Sequence, residues 1–357
     1  MAIFNGQLRS NEIFAGLFNM IISQEVFADN FADNYRLVDK ARVDGSLYGD
    51  TKLYYSVDVL ETRDWGKDSD TNLLQLERPK EPEVQSIHLD IFKQIGLTVD
   101  YYLTKRAWMD EGAFTSFNGV MLGMITETKK VHEGTLYTAF IGTAKAVGAK
   151  QNIDWDISSV VGSATGIEAA KLEATEIGRQ MADLLVELKD YSRDFNDYGH
   201  LRSYSESAIK VVWNSAIYNR IRKVDLPTIF HKEGIIDKFD SDVLPARYFG
   251  KVNSEGGTTT ASNTTIRSLI EKKYNGVNYF PGDLLPNSTA YLANETYTED
   301  SNVICKIFIK YPPFMSAFQT GTSFFNAKSL TENHYLTWGY NTLEYLKNYP
   351  YITVNKK

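Results

Sequence analysis

The sequence predicts an α+β protein in which a long amphipathic helix is set between strand-like runs and followed by a compact α/β module. Three observations carry this. Residues 113–131, AFTSFNGVMLGMITETKKV, space apolar side chains by three and four. They sit between two alternating runs, IHLDIFKQIGLTVDYYL (87–103) and GTLYTAFIG (134–142). From about residue 150 helical and strand patterns succeed each other closely, and the last hundred residues regain strand character. A chain of 357 residues with 43% hydrophobic content can bury more than one core.

Taken in order, residues 10–28 put Ile13, Phe14, Leu17, Ile21 and Ile22 at helical spacing behind the capping candidates Ser10 and Asn11. Residues 29–50 hold no period and read as an extended arm. In TKLYYSVDVLET (51–62), Leu53, Tyr55, Val57 and Val59 fall on one side. The polar tip RDWGKDSDTN (63–72) and the returning segment LLQLERPKEPEV (73–84) complete a long hairpin. Its many charges leave it little core of its own, and an isolated two-stranded ribbon is marginal in water, so it should lie on something else. A solvated surface hairpin on an enzyme is the alternative.

The long helix offers Asp110 as its cap and Phe114, Phe117, Met121, Met124, Ile125 and Thr128 as its stripe. About 20 residues make it about 30 Å long. Gly119 and Gly123 lie inside it, each costing up to about 1 kcal/mol relative to Ala. Their spacing suits a membrane helix, but Asn118, Glu127, Lys129 and Lys130 exclude one, so they mark a close approach of the sheet or of a neighbouring chain.

In the α/β module, a turn at VVGSATG (160–166) leads into a helix whose apolar face is Ile167, Ala170, Ala174, Ile177, Met181, Leu184, Leu185 and Leu188. SAIKVVWN (207–214) reads as a buried strand and NSAIYNRIRK (214–223) as a short helix. LPTIFHKEGIIDKF (226–239) reads as a loop with a short element, and residues 251–265 as an exposed loop. SNVICKIFIKY (301–311) and YLKNYPYITV (345–354) are the clearest late strands, separated by aromatic turns at YPPF (311–314) and WGYN (338–341).

Little here points to catalysis. His88, His132, His200, His231 and His334 are scattered, with no metal-ligand spacing, so neither a metal nor a cofactor is expected. VVGSATG lacks the ending of a phosphate-binding loop and reads as a turn with a helix cap. No G-x-S-x-G elbow occurs, and Cys305, the single cysteine, sits in an apolar strand as core and fits a reducing compartment. A net charge of −7 argues against tight phosphate neutralisation. Residues 1–23 lack a basic n-region and an uninterrupted apolar core, so neither a signal peptide nor a membrane span is read. The N-x-S/T triplets at Asn263, Asn287 and Asn294 then carry no glycan. Twenty-two tyrosines and 19 phenylalanines suit interfaces better than a sugar site.

An arm, a charged hairpin, a strand entering a long helix, an α/β module and a return to strands resemble the major capsid protein of tailed bacteriophages, the Hong Kong 97 fold. LTVDYYLTKRAWMDEGAF (97–114) is similar to the entry to that family's spine helix, and SAIKVVWNSAIYNRI (207–221) with LPTIFHKEGI (226–235) to its axial domain. The resemblance implies an N-terminal arm over 1–45, an E-loop over 46–84, a peripheral domain over 85–150, an axial domain over 151–325 and C-terminal strands over 326–357 that rejoin the sheet. It further implies hexamers and pentamers of an icosahedral shell around double-stranded DNA, held weakly and without sequence preference, in a virion assembled in the host cytoplasm. No catalytic residue, cofactor, metal or membrane is implied. With one helix of about 20 residues ahead of the hairpin, a separate scaffolding protein is expected, together with a portal and a decoration protein. Some members cross-link lysine to asparagine; Lys67 in the hairpin tip is a conceivable donor, but no motif identifies an acceptor. A bacterial compartment shell of the same fold and a two-carboxylate carbohydrate enzyme remain the rival readings.

Overall fold

A computed structural model describes residues 37–44, 51–62, 76, 78–100, 111–223, 240–252, 273–274, 277–278 and 297–357. The helix at 10–28, the hairpin tip, the cap Asp110, the segment 226–239 and all but the first two residues of 251–265 lie outside these residues.

The described helices are α1 (Leu37–Ala41), α2 (Glu111–Thr143), α3 (Ser158–Val161), α4 (Gly166–Lys189) and α5 (Ser215–Lys223). The strands are β1 (Arg42–Asp44), β2 (Thr51–Ser56), β3 (Glu83–Val99), β4 (Asn152–Trp155), β5 (Lys210–Asn214), β6 (Asp240–Leu244) and β7 (Gly250–Val252). They continue with β8 (Lys273–Tyr274), β9 (Val277–Asn278), β10 (Tyr297–Glu299), β11 (Val303–Phe308), β12 (Phe314–Asn326), β13 (Thr331–Asn341) and β14 (Tyr351–Lys356).

Two five-stranded sheets organise these elements. One has the order β1-β12-β13-β3-β2 and the other β4-β14-β11-β5-β6. The second sheet is buried on both faces, because alternate residues of its strands point to opposite sides. Val212, Phe308 and Tyr351 join α2 in one core, and Val211, Trp213, Ile307, Ile352 and Val354 join α4 in the other. The face of α4 contains Ala174, Ile177, Met181, Leu184, Leu185 and Leu188 as the spacing predicts, but Ile167 is 74% exposed. It sits one residue into the helix, beside Gly166 at φ 66°, a full turn and more ahead of the first buried residues of that face.

The spine helix departs most from expectation. It runs 33 residues, about 50 Å, and takes in GTLYTAFIG, which reads as a strand. Leu136, Tyr137, Phe140 and Ile141 are buried at helical spacing, and Ala139 is buried between them. A segment buried all round carries no polar face to mark its period, so an apolar run of this length does not distinguish helix from strand. The other half is the reverse: Ile125 is buried, yet Met124 is 54% exposed, so the expected stripe does not lie whole against the sheet.

WGYN is the second departure. Trp338–Asn341 belong to β13 and pair opposite Lys93, Phe92, Ile91 and Leu89 of β3. Gly339 makes no turn. A Cβ there would stand 2.9 Å from the ring of Phe92, so the glycine admits the aromatic from the neighbouring strand. The C-terminal strands also divide: β13 pairs with β12 and β3, while β14 enters the other sheet between β4 and β11.

Candidate assembly surfaces

The base of the predicted hairpin is formed by β2 and β3, which pair antiparallel from Thr51↔His88 to Ser56↔Glu83. The side that alternation marks as apolar faces outward. Leu53, Tyr55, Val57 and Val59 are 49, 63, 58 and 50% exposed, and Leu60 is 73% exposed. Val84, opposite Tyr55, extends the patch onto β3. Scattered exposed apolar residues are ordinary, but a contiguous set along β2 and the segment that follows it marks a surface awaiting a partner.

Two loops of the second-sheet module hold the hairpin root. The Ser56 hydroxyl donates to Asn348 Oδ1 at 2.6 Å and meets His200 Nδ1 at 2.7 Å. Arg202 donates to Val57 O at 2.6 Å and to Asn348 Oδ1 at 3.3 Å. Since Ser56 gives its proton to Asn348, the proton in the Ser56–His200 bond comes from Nδ1. That polarity is opposite to a nucleophile–base pair, in which the ring accepts the hydroxyl proton. Asp58 pairs with Arg193 and accepts from the Leu201 N–H at 3.0 Å. The Arg193 hydrogen bond, then the Leu201 amide, holds its carboxyl well below the usual carboxylate range.

The end of the arm is anchored from the other side. Leu37, Val38 and Ala41 of α1 are in the α2 core, and β1 pairs parallel with the first residues of β12. Glu133 of α2, 1% exposed, receives Arg42 at 2.9 Å and the Ser316 hydroxyl at 2.9 Å, tying spine, arm and β12 together. Next to it, a cavity of about 460 Å³ is lined by Lys40, Arg42, Lys210, Asp240, Lys310 and Tyr311 among others. Three of its four cationic side chains already have carboxylate partners. Lys40 and Lys210 are bound by Asp240, and Lys40 also by Asp242, while Arg42 is bound by Asp39 and Glu133. Hydrogen bonding from Lys210 and then Lys40 lowers the Asp240 pKa against the effect of burial.

Lys306, wholly buried on β11, is a residue that sequence reading passes over. Its Nζ donates to Ala144 O at 2.7 Å, just past the end of α2, and to Thr353 Oγ1 at 2.8 Å. The last turn of α2 has no basic residue of its own, so a strand supplies a hydrogen-bond donor to a carbonyl at the helix C-terminus. Burial pushes its pKa well below the ordinary lysine value.

The residues weighed for chemistry stay apart. His88 bonds Thr51 and Ser86, His132 approaches Tyr340 OH, His200 is in the hairpin root and His334 is near Glu332. His231 lies outside the described residues. Among the described residues no cluster of His, Cys, Asp and Glu is arranged to hold a metal ion, and no helix is long and apolar enough to cross a membrane. Cys305 is buried, and burial raises its thiol pKa, which keeps it inert. Residues 160–166 form the end of α3 and a turn into α4, with Gly162 and Gly166 at positive φ.

The chain matches the family model of the Phi29-like phage major capsid protein over residues 2–341. It belongs to that family. Its fold is that of tailed-phage capsid proteins, the α+β Hong Kong 97 type. A chain in the capsid structure of Staphylococcus phage Andhra superposes with a TM-score of 0.63 at 13% identity, covering 94% of this chain and 88% of that one. A chain in the structure of the head fiber and inner core protein gp22 of native bacteriophage P68 gives 0.62 at 12% identity, with the same coverage. No curated protein matches by sequence. As a major capsid protein it is a structural component of the virion, and copies of it associate to form the shell. The family match favours this over a compartment shell or a carbohydrate enzyme.

Proposed function

We propose that this capsid protein forms hexamers and pentamers of an icosahedral shell enclosing double-stranded DNA, without catalysis, and that β2/β3 is the E-loop laid over an adjacent copy. The observation that carries the E-loop reading is the outward row Leu53, Tyr55, Val57, Val59 and Leu60 on a hairpin whose root is fixed. Burying such a row against a second copy contributes roughly 1.5–3 kcal/mol for each fully covered side chain. Stability then belongs partly to the assembled form.

The proposed division is an arm over 1–45, the E-loop over 46–84, a peripheral domain over 85–150 and an axial domain over 151–325. C-terminal strands over 326–357 return to the sheets, a reading supported by β13 pairing with β3 and β14 with β4 and β11. Assembly takes place in the host cytoplasm with a separate scaffolding protein and a portal. A net charge of −7 suits a lining that holds packaged DNA loosely and without sequence preference.

Deleting residues 62–72 tests the E-loop reading. The subunit should fold with its circular dichroism unchanged, and particle yield in negative-stain images should collapse. Undiminished yield removes the assignment.

A further inference from the structure

The hairpin is held at its root on both strands. At the end of β2 and just past it, Ser56 and Asp58 engage His200, Asn348, Arg193 and Leu201, while Arg202 holds Val57 O. On β3, Gln85 donates to Tyr345 O at 3.0 Å and accepts from the Lys347 N–H at 3.1 Å. The two receiving loops brace each other. Asp197 N donates to Lys347 O at 2.9 Å, and Tyr345 OH donates to Asp197 at 2.5 Å. Asn196 closes its loop by bonding both N–H and C=O of His200. Ser56, Gln85, Asn196 and His200 are all buried, although the hairpin beyond them faces outward.

We propose that loops 192–202 and 345–349 form a socket that sets the angle at which the hairpin leaves the body, with Ser56, Asp58 and Arg202 as positioning residues for shell assembly. This rests on the reading that the hairpin is laid over a second copy. Leverage is the physical reason. From Ser56 to Thr62 an extended chain spans at most about 20 Å, so a tilt of about 10° at the root moves its far end by about 3 Å. A gap of only about 0.5–1 Å already forfeits a quarter to a half of a dispersion contact. Val57, Val59 and Leu60, which lie beyond the root, therefore meet a partner only if the root is stiff. Three charged groups and a tightly bonded serine at one root supply that stiffness, where an apolar contact would let the strand slide.

The test compares full-length Ser56→Ala, Asp58→Asn and Arg202→Gln with the 62–72 deletion. Thermal unfolding reports the fold, hydrogen exchange of residues 51–62 reports the root, and sedimentation with electron microscopy reports yield and diameter of shells. The expected result is unfolding close to that of the parent, faster exchange at the root, and a several-fold loss of closed shells with a broadened diameter. Shells of normal yield and size from all three variants, while the deletion fails to assemble, overturn the socket and leave the E-loop reading intact. Normal shells from the variants and the deletion alike overturn both. Loss of the fold in all three variants also overturns the socket, since these residues would then hold the body together and not aim the arm.

Discussion

One substitution, Gly→Ala, should have opposite signs at two places in the spine helix. At Gly123 a Cβ meets nothing within 4 Å among the described residues, and the same holds at Gly119. There Ala relieves the backbone entropy cost of glycine, a gain of about 1 kcal/mol per site. At Gly142 the added carbon would sit 2.1 Å from Tyr248 O and 2.6 Å from Tyr248 C, both backbone atoms of a turn packed on the helix. Overpacking of this kind costs about 1–3 kcal/mol, and a rigid neighbour puts it at the upper end. After the propensity gain of about 1 kcal/mol is subtracted, the net loss is about 2 kcal/mol. Thermal unfolding of the unassembled subunit reads the difference, since 1 kcal/mol moves the midpoint by roughly 2–4 °C for a cooperative unit of 150–250 residues. Gly119→Ala and Gly123→Ala should therefore unfold higher, and Gly142→Ala lower. A Gly142→Ala subunit as stable as its parent would show that the helix end is not seated on Tyr248, and the reasoning would fail.

Three further outcomes follow from the same structure. Lys306 has a folded pKa well below its unfolded value, so between the two the unfolded chain binds the extra proton and stability rises with pH, by at most about 1.4 kcal/mol per unit. Below the folded pKa both states carry the proton and the slope vanishes, as it does above the unfolded value near 10.4. Lys306→Met should remove this slope, and urea unfolding across a pH series that shows parallel curves for parent and variant would count against it. Met124→Asp should remain soluble because Met124 is 54% exposed, whereas Ile125→Asp puts a charge into a 9% exposed site and should not; expression and sedimentation decide. Arg42→Ala leaves the buried Glu133 with Ser316 and Lys129 and should cost about 3 kcal/mol. Adding Glu133→Gln should recover part of that, and denaturant midpoints equal to the parent's in the single variant would show the pair to be idle.

Elements with one polar and one apolar face were legible in the sequence: α4 through its repeat of Ile177, Met181, Leu184 and Leu188, and β3 through its alternation. Legibility failed where burial is complete or where a pair of strands shares one feature. Residues 134–142 have no polar face, and Gly339 makes sense only once Phe92 is placed across from it. The outward row at 53, 55, 57 and 59 could be read, but as a face without a partner in its own chain. The socket could not, because Ser56, Arg202 and Asn348 are ordinary polar residues until the fold brings positions 146 and 292 apart into one cluster.

The place of β14 bears on when a subunit becomes competent. Strand β4 has β14 as its sheet neighbour, and Tyr351 is among the residues packed with the spine. Asn152 must therefore wait for Thr353, two hundred positions later on the ribosome, before its edge is covered. Without that strand, β4 and β11 keep unpaired edges and the spine core lacks Tyr351. Closure of this sheet thus depends on joining segments about two hundred positions apart, the kind of pairing that forms slowly.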